Sequence, residues 1–522
     1  MNELYYGDCL DVLKEMHRKH PDGFIDLIYI DPPFNSKRNY NVLFESVDLN
    51  DTKAQKEAFA DTWSNVSYFD ALNEIQDLDL DLYGFLIALD SINISKSAIS
   101  YLTTMAIRIW YMHKVLKDTG SFYLHCDQTM SHYLKIICDI VFGESNFRNE
   151  IIWLRSTDTG SSKSISKKFP ANTDSILFFA KSKIYSFNNI YTAYSEEYLS
   201  RFRYQDEKGK YRWQCLKTYS EERLEQLKQD NRIRYGSKAK NPEYKQYEWE
   251  LKGVLMSNNW TDINQINPAA NERLGYPTQK PIALMERIIQ ASSNEGDIVA
   301  DFFCGCGTTI AAANKLNRQW IGTDISHLAI RLILKRLTDP YPPDKQKEIK
   351  MNIAINGFPR DPATARELAE SDSGGRLKFQ DWVIEVMLNG IANPKKTADG
   401  GWDGYLTFDK GAKERGLCII EVKSGNVNVK NMREFVQVVK TQSADIGVFV
   451  CFETQVTKPM QIESKQAGKY PNSEIDKIQI ITVEDLLNHK QVQIPGKGSQ
   501  TTFKQSVKRV DVEEEEAGLF EE

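Results

Sequence analysis

Two apolar, β-branched runs stand 270 residues apart, and each ends on an acidic residue at a turn. The first, Phe24-Ile25-Asp26-Leu27-Ile28-Tyr29-Ile30, runs into Asp31-Pro32-Pro33-Phe34. The second, Asp297-Ile298-Val299-Ala300, runs into Asp301-Phe302-Phe303-Cys304-Gly305-Cys306-Gly307, with a helical stretch from Thr308 to Leu316 behind it. Short runs of this kind read as buried strands. Around them the spacing predicts a helix over Met105–Leu116, a strand over Ser121–His125, a helix over Pro281–Ala291 and a strand over Trp320–Thr323. Strands alternating with helices build a parallel, doubly wound α/β sheet, whose ligand sites open at the carboxyl ends of the strands.

A chain of 522 residues is too long for one core and implies several domains. No apolar stretch of about 18 residues occurs, so no transmembrane helix is expected. The start, Met1-Asn2-Glu3-Leu4-Tyr5-Tyr6-Gly7-Asp8, lacks a signal-peptide pattern. The eight cysteines are scattered. Cys304 and Cys306 are one residue apart, the wrong spacing for a zinc knuckle, so the set reads as reduced thiols of a prokaryotic, cytoplasmic protein. Net charge is -6, yet residues 151–256 hold 20 Lys+Arg against 13 Asp+Glu. A basic segment inside an acidic chain suits a protein that grips a polyanion in one cleft.

The two turns carry different chemistry. A glycine-rich turn between strand and helix lets the backbone approach a ligand and points helix N–H groups at negative charge. Asp301 is placed to accept from a ligand cation, and Asp324, at the next strand end, suits ribose hydroxyls. Alone, the loop also fits a dinucleotide site or a plain tight turn, although Ile310 stands where the dinucleotide fingerprint needs its third glycine. At Asp31-Pro32-Pro33-Phe34, a carboxylate and the Pro32 carbonyl can each accept one N–H of an exocyclic amine, drawing its delocalised lone pair toward a nucleophilic, tetrahedral form. The prolines remove competing donors, and Phe34 offers a stacking face to a base taken out of a duplex. The Pro-Cys dipeptide of a carbon-5 cytosine chemistry is absent.

Together these residues resemble the N4/N6 amino-methyltransferases of DNA. The order here, catalytic loop, basic region, glycine loop, is similar to the circularly permuted beta branch and to type III modification subunits. Gly7-Asp8-Cys9-Leu10 and Thr278-Gln279-Lys280-Pro281 resemble two further motifs of that branch. The resemblance covers about residues 1–335. It implies S-adenosylmethionine as methyl donor, held by Asp8, Thr278, Lys280, Asp301, Phe303, Gly305, Gly307 and Asp324, with Asp31, Pro32, Pro33 and Phe34 catalytic. Asp rather than Ser at the first catalytic position leans toward adenine N6. The basic region would read DNA, with Arg201-Phe202-Arg203-Tyr204, Tyr211-Arg212-Trp213, Lys208 and Lys210 as candidates for phosphate and base contacts.

A second constellation lies beyond residue 377. A helix with Trp382 and Glu385 precedes Asp399-Gly400-Gly401-Trp402-Asp403-Gly404, then Cys418-Ile419-Ile420-Glu421-Val422-Lys423. A hairpin would set Asp403 beside Glu421 and Lys423, and strand alternation puts the last two on one face. Two carboxylates can hold Mg²⁺ while the Lys positions or activates the attacking water on a phosphodiester. This resembles the PD-(D/E)XK nucleases, especially Mrr-type restriction domains, although Trp402 stands where that name puts a proline. It implies Asp403, Glu421 and Lys423 as catalytic, Asp403 and Glu421 as metal ligands, and Glu385 as a fourth member.

The expected architecture is therefore α/β: a circularly permuted, Rossmann-like methyltransferase sheet with an inserted target-recognition region, followed by an α/β nuclease-like domain. The boundaries are 1–150 catalytic half, 151–260 target recognition, 261–336 cofactor half, 337–376 linker, 377–490 nuclease-like, and 491–522 a disordered acidic tail. The expected function is DNA methylation, with adenine N6 as target, fused to Mg²⁺-dependent cleavage in a restriction–modification system. Double-stranded DNA is the partner, no membrane is involved, and a homodimer or a restriction or motor subunit in trans is compatible with the resemblance. The alternative is a modification and recognition subunit whose nuclease fold only binds.

Overall fold

The computed structural model describes residues 2–33, 65–156, 171–235 and 241–495, together with Phe169; within these spans, residues 93, 268, 271, 275, 277–278, 360, 372–373, 389, 394–399, 412–413 and 489 are outside the description. Phe34 and Thr278 therefore lie outside the described residues, as does the acidic stretch after Pro495. The chain divides into two compact units, Phe187–Asn259 and the remainder.

The larger unit is built on a nine-stranded sheet. Its first strands are β1 (Asn2–Tyr6), β2 (Ile25–Ile30), β3 (Leu116–Cys126), β4 (Phe147–Leu154) and β5 (Thr173–Ala180). Eight of the nine run in the order β4, β5, β3, β2, Ile298–Asp301, Gln319–Asp324, β1, Ala354–Asn356. From β3 to the Ala354–Asn356 edge every pairing is parallel, whereas β5 runs antiparallel to both β3 and β4. Ile25, Leu27, Ile28 and Ile30 are fully buried, as expected of a parallel strand covered on both faces. Helix α1 (Cys9–Lys19) and the long Lys96–Val115 helix share one core with β2 and β3 through Leu13, Met16, Leu102, Ile109, Phe122 and Leu124. Among the described residues no helix is long and apolar enough to cross a membrane, and the eight cysteines are free thiols.

Two segments differ from their sequence-based assignment. Residues 151–154 and 173–180 do not belong to a recognition insert: β4 and β5 extend the main sheet, and Trp153 is buried with its indole N–H donating to the Ile263 carbonyl at 2.7 Å. β4 alternates only over its last residues and β5 is buried along nearly its whole length, so neither shows a clean period beside the basic sequence between them. Nor is 337–376 a plain linker. It holds helices at Pro343–Met351 and Pro362–Glu370 and the Ala354–Asn356 edge strand. Pro343 and Pro362 stand in the first turns of these helices, where a proline's missing N–H costs nothing. Even the start of the supposed tail is packed, with Gln493 hydrogen-bonded to Gln479 and Val492 and Ile494 against the C-terminal core.

The Phe187–Asn259 unit, taken by itself, carries a four-stranded antiparallel sheet in the order Tyr204–Asp206, Gly209–Cys215, Glu243–Tyr247, Ile233–Arg234. Some of its cations are engaged by aromatic rings, Arg212 half-buried and Arg234 at the surface. Arg212 lies over the rings of Tyr198 and Phe202 and bonds Gln246, and Arg234 lies 4.2 Å over Trp213. Arg201, Arg203, Lys208 and Lys210 remain exposed.

The C-terminal part has its own five-stranded sheet, in the order Ile391–Ala392, Gly404–Gly411, Glu414–Val422, Ile446–Cys451, Ile478–Thr482, and its own core around Phe379, Trp382, Ile420 and Val448. Between the two sheets, Gly357 has φ +85°, and a Cβ there would lie 2.0 Å from the Tyr6 carbonyl oxygen. Gly357→Ala is expected to destabilise the chain by about 1–3 kcal/mol and to loosen the β1 edge, measured by denaturant unfolding and by hydrogen exchange at Leu4–Tyr6.

Candidate active site

Parallel pairing brings the two motifs to one edge. Leu27 and Ile28 pair with Val299 and Ala300, so Asp31 and Asp301 emerge from neighbouring strands. Asp301 pairs Gly322, and Asp324 pairs Tyr6. The carboxyl ends of four adjacent strands thus present Asp31, Asp301, Asp324 and the Gly7-Asp8 turn side by side, the crevice where open α/β sheets bind ligands.

The glycine loop is fixed by its own acids. Asp324 accepts from the backbone N–H of Gly305 (2.9 Å) and of Ser326 (2.8 Å). Asp301 accepts from the Phe303 N–H (3.0 Å) and the Thr309 hydroxyl (2.6 Å). Gly305 and Gly307 sit at φ +49° and +73°, and an added Cβ would meet the Tyr276 ring at 3.2 Å and Ile333 at 2.4 Å. Only glycine serves there without strain. Desolvation pushes the Asp301 carboxyl up to about 7 and that of Asp324, enclosed although the residue keeps some surface, up to about 6. Each carboxylate oxygen here has a second lone pair. A bound cation would find two acceptors whose charge the protein alone stabilises poorly.

Asp31 is partnered by Lys280, whose ammonium donates to Oδ2. Both side chains are largely buried. Lys280, expected in the cofactor pocket, thus reaches the carboxylate expected to be catalytic. Gln279 braces the same loop, donating to the Glu272 carbonyl at 2.6 Å and accepting from the Leu274 N–H at 2.8 Å. Asp8 caps helix α1 through the Leu10 N–H (2.9 Å), and the buried Arg108 donates to both its oxygens at 2.7 Å. Arg108 and Tyr276 were not found from the sequence; Arg108 lies in a segment without a motif, marked only by a charge within the apolar run Met105–Met112, and Tyr276 stands just before the Thr278-Gln279-Lys280-Pro281 motif but outside it. Pro32 is buried and Pro33 half-buried beside Asp31.

The second constellation also assembles. Gly404 pairs Ile420 across the hairpin, and the next pair along is Asp403 with Glu421. Asp403 accepts from the Val422 N–H (2.7 Å) and from the Gln380 amide (3.2 Å), while its own N–H donates to the Ile420 carbonyl. Lys423 lies 2.6 Å from Glu421. The Glu385 backbone carbonyl accepts from Arg331 at 3.2 Å, and its side-chain charge acts on Arg331 and Tyr6. Gln380, on the helix that passes into π-helix at Trp382, is a further residue at Asp403. Among the described residues no group of three or more His, Cys, Asp or Glu gathers as a metal cluster. Asp403 and Glu421 are two hard oxygen donors on paired strands, a set that fits Mg²⁺ completed by water.

The profile of the N6/N4 DNA methylase family matches residues 25–335, and that of a restriction endonuclease family (Mrr catalytic type) matches 377–489. The type II methyltransferase M.EcaI of Enterobacter cloacae is 30% identical over 262 residues, 45% of this chain and 57% of that one. The StyLTI Mod subunit of a type III restriction-modification enzyme, from Salmonella typhimurium, is 25% identical over 61% of this chain and 50% of its own. The Escherichia coli DNA adenine methyltransferase YhdJ is 27% identical over 64% of this chain and 82% of its own. The chain thus spans about half the length of the first two relatives.

Because burial holds Asp301 above its unfolded value, the ligand-free protein binds that proton more tightly than the unfolded chain. Stability from this group is present near pH 4 and is lost as pH rises through about 7. Asp301→Asn should match wild type near pH 4 and exceed it above pH 7 by a few kcal/mol as an order of magnitude, read from urea midpoints across pH.

Proposed function

The chain belongs to the N6/N4 DNA methylase family, and from that premise we propose that it transfers the methyl group of S-adenosylmethionine to the N6 amine of an adenine in double-stranded DNA. The observation that carries the reading is the placement of Asp31 and Asp301 on paired parallel strands, which sets a carboxylate for the amine beside a carboxylate for the donor's ammonium group. The donor would lie with its carboxylate toward the Gly305–Gly307 turn and the Thr308 helix start, its ammonium group toward Asp301, and its ribose toward Asp324. Asp31 and the Pro32 carbonyl would accept the two N–H bonds of the flipped base; the methyl would pass from the sulfonium sulfur, which leaves as the neutral thioether, to the amine nitrogen, and one amine proton would leave to solvent by way of Asp31. Thr278, Phe303 and Asp8 would line the donor's pocket, and Phe34 would stack on the base. The printed name of YhdJ supports adenine as target.

The C-terminal part is read as a Mg²⁺-dependent nuclease acting on DNA in the same restriction–modification system. Asp403 and Glu421 would hold the cation, which supplies Lewis-acid polarisation of a phosphodiester and an activated water when bound. Lys423 orients that water from its place beside Glu421. The retained Asp403, Glu421 and Lys423 geometry favours cleavage over a fold that only binds. Matches to Mod subunits support a restriction subunit in trans as an added partner, and the exposed Arg201, Arg203, Lys208 and Lys210 are the cations available to phosphates.

Asp31→Ala is expected to abolish incorporation of labelled methyl into unmethylated phage DNA and to leave calorimetric S-adenosylmethionine affinity unchanged; normal incorporation would refute the assignment. Lys423→Ala should remove Mg²⁺-dependent cutting of the same DNA with methylation intact, and simultaneous loss of both activities would show that the two sites are not separable.

A further inference from the structure

A buried polar chain runs to the side of Asp31 and is used by no step above. Ile30 pairs Leu124, so the next pair along β2 and β3 is Asp31 with His125. Strand alternation puts Tyr29 on the same face as Asp31. The Tyr29 hydroxyl lies 2.9 Å from His125 Nδ1, and His125 Nε2 lies 3.1 Å from Asp174 Oδ2 on β5. Arg155 Nε stands 3.3 Å from Asp174 Oδ1, an ion-pair contact without hydrogen-bond alignment. The rings of Trp153 and Tyr29 meet His125 edge-on at 5.8 and 6.3 Å. His125 has no exposed surface, and Tyr29 and Asp174 have almost none.

The protons in this chain have one consistent arrangement. Burial would raise the Asp174 carboxyl, but the hydrogen bond from His125 and the charges of Arg155 and Lys280 act the other way, and it lies below its usual value. An ionised carboxylate only accepts, so His125 must carry its proton on Nε2. Burial, then the nearby Lys280 charge, lowers the imidazole's affinity for a second proton, against Asp31 and Asp174. Nδ1 is then an acceptor and takes the Tyr29 O–H, which burial keeps protonated. A second imidazole proton would set a positive charge beside the Lys280–Asp31 pair, competing for the carboxylate the reaction needs. Asp31 is followed by two prolines, which bring no N–H with which to brace the turn. Beyond the last backbone pair, Ile30 with Leu124, the neighbouring side chains carry that bracing.

We propose that His125 is a positioning residue for methyl transfer: Asp174 fixes its tautomer, and the ring holds Tyr29 and the strand end that carries Asp31. This rests on Asp31 being the catalytic carboxylate. A displacement near 1 Å of a positioned group is enough to cost a large factor in rate, and a wrong histidine tautomer alone can do so.

The test uses the full chain, tritiated S-adenosylmethionine and unmethylated phage DNA. His125→Phe, close in volume and unable to bridge Tyr29 and Asp174, should lower kcat by about tenfold or more with the cofactor KM and calorimetric Kd unchanged. His125→Gln, whose amide can donate to Asp174 and accept from Tyr29, should recover most of kcat. A purely structural role would reduce the fraction of folded, cofactor-binding sites but not kcat per site. Wild-type kcat per site in His125→Phe, with Asp31→Ala inactive, overturns the proposal. Full activity in Asp31→Ala instead overturns the reading on which it rests. Should His125→Phe fail to bind cofactor at all, Asp174→Asn takes its place: an amide there can donate and releases the tautomer, so reduced kcat supports the proposal and wild-type kcat overturns it.

Discussion

The parallel pairing of Ile25–Ile30 with Ile298–Asp301 closes a loop of about 270 residues across the centre of the sheet. Closing so long a loop costs more entropy than a short one, though the cost grows only logarithmically with length. It is offset by the apolar burial of Ile25, Leu27, Ile28, Ile30, Val299 and Ala300, none of which keeps accessible surface. Everything chemical follows from that contact. Separate the two strands and Asp31 loses its neighbour Asp301, Lys280 loses the carboxylate it reaches, and the glycine turn no longer faces the Asp31-Pro32-Pro33 turn. The order of motifs along the chain is therefore irrelevant to the site; only the order of strands in the sheet matters.

The same contact creates an electrostatic problem. Asp31, Asp301 and Asp324 gather at one edge, and Asp31 and Asp324 each raise the carboxyl of Asp301 beyond the effect of burial. The protein answers unevenly. Asp31 receives a full cation in Lys280, while among the described residues Asp301 and Asp324 receive neutral donors, backbone N–H groups and the Thr309 hydroxyl. Neutral donors are weaker partners than a cation for a buried charge. The half of the site assigned to a positively charged cosubstrate is thus left electrically unsatisfied. The half assigned to a neutral base is already neutralised, so an amine can share Asp31 without leaving a bare charge behind.

The strand runs, the glycine turn and the Glu421–Lys423 alternation were legible because each is a local pattern with a period or a turn residue to mark it. Lys280 on Asp31, Arg108 on Asp8 and His125 between Tyr29 and Asp174 were not, because each joins residues from different strands or helices and no local rule ties them. β4 and β5 were lost to composition: a basic connecting stretch outweighed two short buried runs. The 337–376 stretch was read as a linker from its prolines, Pro343 among them, whereas a proline in a first turn starts a helix as readily as a proline elsewhere ends one. Gln380 beside Asp403 was not legible either, because it too joins separate elements; the change to π-helix at Trp382 then shifts which later side chains share a face.

That shift has a consequence for how the two halves of the larger unit meet. Tyr6 ends β1 beside the Gly7-Asp8 turn and stacks on Phe358 at 4.6 Å, and Arg331, on the helix that follows Asp324, donates to the Glu385 carbonyl. The segment that begins the C-terminal core therefore rests on the two strand ends assigned to the cofactor. The Arg331 contact is to a backbone oxygen, so it survives replacement of the Glu385 side chain, whereas replacing Arg331 leaves a carbonyl without that donor. Residues that share a wall in this way do not act independently, and the effects of substitutions at Tyr6, Arg331 and Phe358 should not add. The hydrogen bond from Gln380 to Asp403 begins one turn earlier in the same segment, so the wall that supports the methyl-donor site also carries a residue that touches the second pair of carboxylates.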